Sequence, residues 1–159
     1  MTEHIHDVAR IGHAELLSPK PDESLKYSDA IDFVGRNEFD FTIKELAEGR
    51  DWSEIDGLSF RNAQGEIVHN KERAILENMD ALPFVTEVYR RDLTIEKYFI
   101  GYLKHPYVSF YTGRGCKSRC TFCLWPQTVG GHRYRTRSVG NVVEEISWAK
   151  AAMPQVKEF

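Results

Sequence analysis

Apolar and polar positions fall in short blocks along the first half of this chain. The runs "HAELL" at 13–17 and "AIDFVG" at 30–35 bracket the polar segment "PDESLKYSD", and brief, continuous apolar runs of this kind predict buried parallel strands. In "NEFDFTIKELAEGRD", Phe41, Ile43, Leu46 and Ala47 recur near helical spacing and Gly49 supplies a stop. Two β-prone runs follow, Leu58 to Arg61 and Glu66 to His69, separated by Asn62, Ala63, Gln64 and Gly65; the pattern predicts a hairpin. Residues 70–105 are aromatic-rich and read as a connector. From Tyr107, "YVSFYTGRGC" predicts a strand ending in glycines, and a loop then runs through "PQTVGGHRYRTR". Ser138 offers an N-cap to a helix whose apolar stripe is Val142, Val143, Ile146 and Ala149, with Pro154 ending it and residues 155–159 opening a further strand.

Strand, helix, strand, helix followed by a strand–loop–helix unit places the chain in the α/β class. Its 159 residues suit one domain or pieces of two, and 42% hydrophobic with 12% aromatic residues is the composition of a folded protein. No apolar run approaches the ~18 residues that cross a bilayer, and the polar start "MTEHIHDVARIGH" lacks the hydrophobic stretch of a secretory signal. A cytoplasmic protein without a transmembrane segment is expected.

Charge changes the picture at one place. The net charge is −3, yet Gly113 to Arg137 holds Arg114, Lys117, Arg119, Arg133, Arg135 and Arg137, and all 24 acidic residues lie outside it. The same window contains every cysteine of the chain, Cys116, Cys120 and Cys123. Positive potential there attracts an anionic cluster, cofactor or substrate, although a solvated basic loop is the plain alternative. Three clustered thiols in a reducing compartment point to metal or redox chemistry ahead of a disulfide framework.

Thiolates at C-x3-C-x2-C can reach one metal centre from a single loop, and soft sulfur selects zinc or iron–sulfur clusters. Structural zinc wants a fourth ligand. His132 is the nearest candidate, which keeps open a zinc-stabilised nucleic-acid-binding module with arginines on phosphate. A cubane cluster with three thiolates leaves one iron open. For simple electron transfer that vacancy is useless; for a catalyst it is where a small molecule binds.

"CKSRCTFC" resembles the C-x3-C-x-aromatic-C signature of radical S-adenosylmethionine (radical SAM) enzymes, with Phe122 at the aromatic position. "YRTRSVGNVVEEI" resembles the Arg-rich, Ser-capped segment downstream of that signature in members with a cobalamin-binding domain. "SDAIDFVGRNEFDFTIKELAEG" resembles the last strand and helix of that domain. Within this group, "GCKSRCTFCLWPQTVGGHRYRTRS" is most similar to the hopanoid-biosynthesis-associated radical proteins of the bacteriohopanetetrol cyclitol ether type.

The resemblance implies an α/β fold made of the C-terminal part of a Rossmann-like cobalamin-binding domain over 1–55, a hairpin and connector over 56–105, and the first strand–loop–helix unit of a partial (β/α) barrel over 106–159. It implies that Cys116, Cys120 and Cys123 hold a [4Fe-4S] cluster whose open iron chelates S-adenosylmethionine, and that a 5′-deoxyadenosyl radical results. It also implies that Phe122 packs at the cluster with its backbone near the adenine of that cofactor, where the sequence alone fits an ordinary core aromatic equally well. Cobalamin remains an admissible third group, although no D-x-H-x-x-G ligand motif is present. Expected partners are a small-molecule or hopanoid lipid substrate, the latter placing the protein at the membrane periphery, and an electron donor such as flavodoxin or ferredoxin, with no nucleic acid. Methylation or methylthiolation is the alternative reaction within the family. Complete members are considerably longer, so the chain reads as a fragment.

Overall fold

The computed structural model describes residues 20–123 and 131–159, so the strand expected at 13–17 lies outside the described residues. Residue contacts divide the chain into two units, one of residues 1–76 with Gly115–Tyr134 and one of Glu77–Arg114 with Arg135–Phe159. Both mix helices with small sheets.

In the first unit, helix α1 (Pro21–Tyr27) opens on a proline, with Asp22 and Glu23 in its first turn and Lys26 in its last, each at the end that the helix dipole favours. Strands β1 (Phe33–Gly35), β2 (Leu58–Arg61) and β3 (Ile67–His69) form a sheet in that order. The hairpin expected between 58 and 69 is present, with Asn62 Oδ1 accepting from the backbone N–H groups of Gln64 and Glu66. The parallel strand expected at 30–35 is corrected: β1 pairs antiparallel with β2, Phe33 opposite Phe60 and Gly35 opposite Leu58. An apolar run reports burial but carries no information on the direction of its neighbour.

Alternation along the strands sorts their side chains between two faces. Leu58 and Phe60 form a core with Leu46, against which Phe33, Ile43 and Val68 pack; Ile43 and Leu46 belong to helix α2 (Asp40–Ala47). On the opposite face Arg61 donates to the Leu25 carbonyl and His69 Nε2 lies 3.2 Å from Asp22 Oδ2, tying α1 to the sheet. A helix therefore covers each face.

Helix α2 forms where the pattern places it, but its buried side is shifted. Thr42 and Leu46 are buried while Ala47 is exposed. Thr42 is accommodated because its hydroxyl donates to the Asp56 carbonyl at 2.9 Å and accepts from Arg73 Nε at 2.9 Å. The helix ends as expected at Gly49, whose φ is +75°. Its N–H reaches Leu46 and that of Arg50 reaches Glu45, the paired bonds of a Schellman stop.

In the second unit, the connector proves to be structured, containing helix α3 (Val85–Asp92) between 3-10 turns at Met79–Ala81 and Ile95–Lys97. The strand expected from Tyr107 contracts to β4 (Gly113–Arg114), which pairs antiparallel with β5 (Arg135–Thr136). Tyr107 itself bridges Glu158 in parallel, with Val108 N–H donating to the Glu158 carbonyl at 3.1 Å and Lys157 N–H to the Pro106 carbonyl at 2.8 Å. Between those two segments runs helix α4 (Val139–Ala152), capped by Ser138, whose side chain accepts from Asn141 N–H. Ile95, Val108, Ala149 and Met153 make the core.

The buried face of α4 also differs from its expected stripe. Glu145 and Ala149 are buried and Val143 is 55% exposed. Among the described residues, no helix is long and apolar enough to cross a membrane.

Candidate metal centre

The chain enters the cysteine loop from β4 and leaves it through β5, a ladder of two residue pairs, Gly113 with Thr136 and Arg114 with Arg135. Gly115 follows at φ +85°, a left-handed conformation that glycine adopts without Cβ strain. Beyond it, Cys116 N–H donates to the Gly131 carbonyl at 3.3 Å, and the His132 ring contacts the Ser118 carbonyl through Nδ1 at 3.1 Å. A carbonyl only accepts, so Nδ1 carries the proton. At the far end of the signature, Cys123 N–H donates to the Cys120 carbonyl at 3.2 Å, closing a tight turn around Phe122.

None of the three cysteines is in a disulfide; Cys120 is exposed and Cys116 and Cys123 are half-buried. Phe122 is 91% exposed, which excludes the ordinary role of an aromatic residue in a core. Lys117, Arg119 and Arg133 are exposed alongside them. Arg114 stacks over the Tyr111 ring at 4.6 Å from its centroid, and Arg135 is buried. The basic character read from sequence is therefore carried at the loop surface mainly by the first three.

The loop brings the thiols onto one accessible segment without gathering them. Among the described residues, no group of three or more His, Cys, Asp or Glu side chains is close enough to hold a metal ion. His132 joins the loop by its bond to Ser118 and not through a sulfur. As a donor set, three thiols within eight residues, none of them in a disulfide, still fit a soft metal centre. Residues 124–130 of the loop lie outside the described residues.

Two features of the second unit were not singled out by the sequence pattern. Asp80 Oδ1 accepts from Ser138 N–H at 2.8 Å, at the cap of α4. Hydrogen bonding from Ser138 holds the Asp80 carboxyl below its ordinary range, and the Arg137 charge adds to the effect. Glu145, wholly buried, pairs with Arg137. The signal for it lay in the spacing Asn141, Glu145, Ala149, Met153, a period of four that competes with the apolar stripe.

No family model matches the chain. It is 27% identical over 147 aligned residues to cytidylyl-2-hydroxyethylphosphonate methyltransferase of Streptomyces wedmorensis, covering 74% of this chain and 27% of that protein. Apo OxsB, a cobalamin-dependent S-adenosylmethionine radical enzyme, superposes with a TM-score of 0.61 at 21% identity over 89% of this chain and 19% of its own. The fold is shared with cobalamin-dependent radical SAM enzymes. TsrM from Kitasatospora setae, a radical S-adenosylmethionine methyltransferase with cobalamin and a [4Fe-4S] cluster bound, matches with a TM-score of 0.50 at 21% identity, over 84% of this chain and 27% of that one. OxsB is also known with aqua-cobalamin and S-adenosylmethionine bound, at a TM-score of 0.55. The present chain spans about a quarter of the methyltransferase and less than a fifth of OxsB.

Proposed function

We propose that this chain carries the cluster-binding element of a cobalamin-dependent radical SAM enzyme, with methyl transfer to a small molecule as its reaction. The observation that carries the reading is the C-x3-C-x2-C signature on an exposed loop between β4 and β5, followed by the Ser138-capped helix, in a chain sharing its fold with OxsB. Cys116, Cys120 and Cys123 are the ligands. On this reading residues 1–55 belong to the end of a cobalamin-binding domain, 56–105 to the hairpin and connector, and 106–159 to the first unit of a partial barrel. The parallel bridge from Tyr107 to Glu158 across α4 supports that last assignment, because a barrel joins its parallel strands through helices.

A [4Fe-4S] cluster with S-adenosylmethionine supplies one-electron cleavage of the sulfonium, and cobalamin supplies methyl carriage. The chain's own residues do the holding. The three thiolates bind, Phe122 offers an exposed ring for the cofactor's adenine, and Lys117, Arg119 and Arg133 lower the cost of bringing an anionic cluster to the loop. A reductant such as flavodoxin or ferredoxin completes the scheme. The relatives described above favour methylation over the hopanoid side-chain role, for which they offer no support.

Anaerobic reconstitution with iron and sulfide tests the reading. Equal iron and sulfide, with a visible and electron paramagnetic resonance spectrum altered by S-adenosylmethionine, is expected; stoichiometric zinc without a cluster overturns it in favour of the zinc module.

A further inference from the structure

We infer that Arg137 and Glu145 are a positioning pair that sets the mouth of the cysteine loop. This rests on the functional reading above for what the loop carries, but its geometry is independent of it.

The ladder at the mouth is short. β4 and β5 are two residues each, too short a ladder to persist alone, and the long loop between them carries a closure cost. Arg137, one residue beyond β5, compensates. Its backbone N–H donates to the Thr112 carbonyl at 2.8 Å. Its guanidinium donates to the Tyr111 carbonyl at 3.3 Å through the nitrogen that also pairs with Glu145 Oε2, while Nε reaches Asn141 Oδ1 at 2.6 Å and the remaining nitrogen the Asn141 carbonyl at 3.2 Å. One side chain thus joins the segment entering the loop, the segment leaving it and the helix that follows.

Glu145 fixes the guanidinium in turn. Its side chain is 0% exposed and that of Arg137 is 8% exposed. Its second oxygen accepts from Thr86 N–H at 3.1 Å and Thr86 Oγ1 at 3.0 Å, anchoring the pair to α3. The Arg137 guanidinium lies 5.7 Å from the Phe84 ring centroid. A buried ion pair is a costly way to fill this space, since apolar residues of similar volume commonly give equal or greater stability. What apolar residues cannot supply is direction. The planar fork of Arg137 meets acceptors on two segments, Tyr111 before the loop and Asn141 and Glu145 in α4, at fixed angles, and that is the property a loop mouth requires.

The test separates stability from position. The whole chain carrying Arg137→Met with Glu145→Leu replaces the pair by volume; Arg137→Lys with Glu145 intact is the second variant, keeping charge but losing the fork. Thermal melting and amide hydrogen exchange are measured on the apo chain, and iron release to a chelator on the reconstituted one. We expect the apolar variant to melt below wild type, because the buried Thr86 N–H and Oγ1 lose their acceptor. Beyond that loss we expect the amides of Gly113, Arg114 and Cys116 to exchange roughly tenfold faster, with α4 unchanged and iron release accelerated by a similar factor. Arg137→Lys should show the same local loosening. Unchanged exchange at those three amides, or faster exchange spread evenly through α4, overturns the positioning role. A wild-type chain that takes up no cluster overturns the functional reading and leaves the exchange result standing.

Discussion

The backbone N–H of Cys116 donates to the carbonyl of Gly131 at 3.3 Å, so the first cysteine sits where the two ends of its loop meet. Cys120 and Cys123 lie further out, joined by the bond from Cys123 N–H to the Cys120 carbonyl. The three thiols differ in exposure but none packs in a core.

Replacing any one of Cys116, Cys120 or Cys123 by alanine should abolish iron–sulfur uptake while changing folding stability by no more than about 1 kcal/mol, least at the exposed Cys120. Iron and sulfide analysis beside a urea melt of each variant checks this. A variant that keeps a full complement of iron removes that residue from the ligand set.

Phe122→Ala separates cofactor contact from packing. With the ring 91% exposed, the melt should stay within about 0.5 kcal/mol of wild type. Binding of S-adenosylmethionine, read from its perturbation of the cluster spectrum, should weaken several-fold. An unchanged titration would remove Phe122 from the cofactor site.

Asp80 predicts a pH dependence confined to acid. Its carboxyl is held below its ordinary range by hydrogen bonds from Ser138, with the Arg137 charge adding. A depressed carboxyl stabilises the fold at every pH above its unfolded value and loses that contribution as pH falls through the folded one. The stability difference between wild type and Asp80→Asn should therefore be constant from neutral to mildly acid pH and vanish only below the ordinary carboxylate range. Melting curves of both across that range decide it, and a difference that vanishes near neutrality would refute the assignment.

Ser59, His69 and Asp22 lie in series, with Ser59 Oγ hydrogen-bonded to His69 Nδ1 at 2.8 Å and His69 Nε2 3.2 Å from Asp22 Oδ2. The order is that of a nucleophilic triad, but Ser59 is 0% exposed and no ester can reach it. Its role is to bind β3 and α1 to β2. Ser59→Ala should cost about 0.5–1.5 kcal/mol in a denaturant melt. Activated esters should hydrolyse at the buffer rate with wild type and variant alike; a rate dependent on Ser59 would show that the serine opens to solvent.

Elements set by local chemistry were legible in the chain itself. Gly49 ends α2 because only glycine takes its backbone conformation cheaply, Asn62 to Gly65 make the hairpin turn, and Ser138 caps α4. The cysteine spacing bears on chemistry by the same logic, since ligand type and separation are local properties, and it is the basis of the proposed cluster site. Strand direction and buried faces were decided elsewhere. β1 became antiparallel because α2 and the turn at Gly57 return the chain along β2, with Arg36 N–H donating to the Gly57 carbonyl at 2.8 Å. Thr42 and Glu145 moved inside because distant Arg73, Thr86 and Arg137 satisfy them. Burial of a polar side chain depends on partners that only the folded chain brings within reach, and no local pattern of apolar positions records where those partners will be.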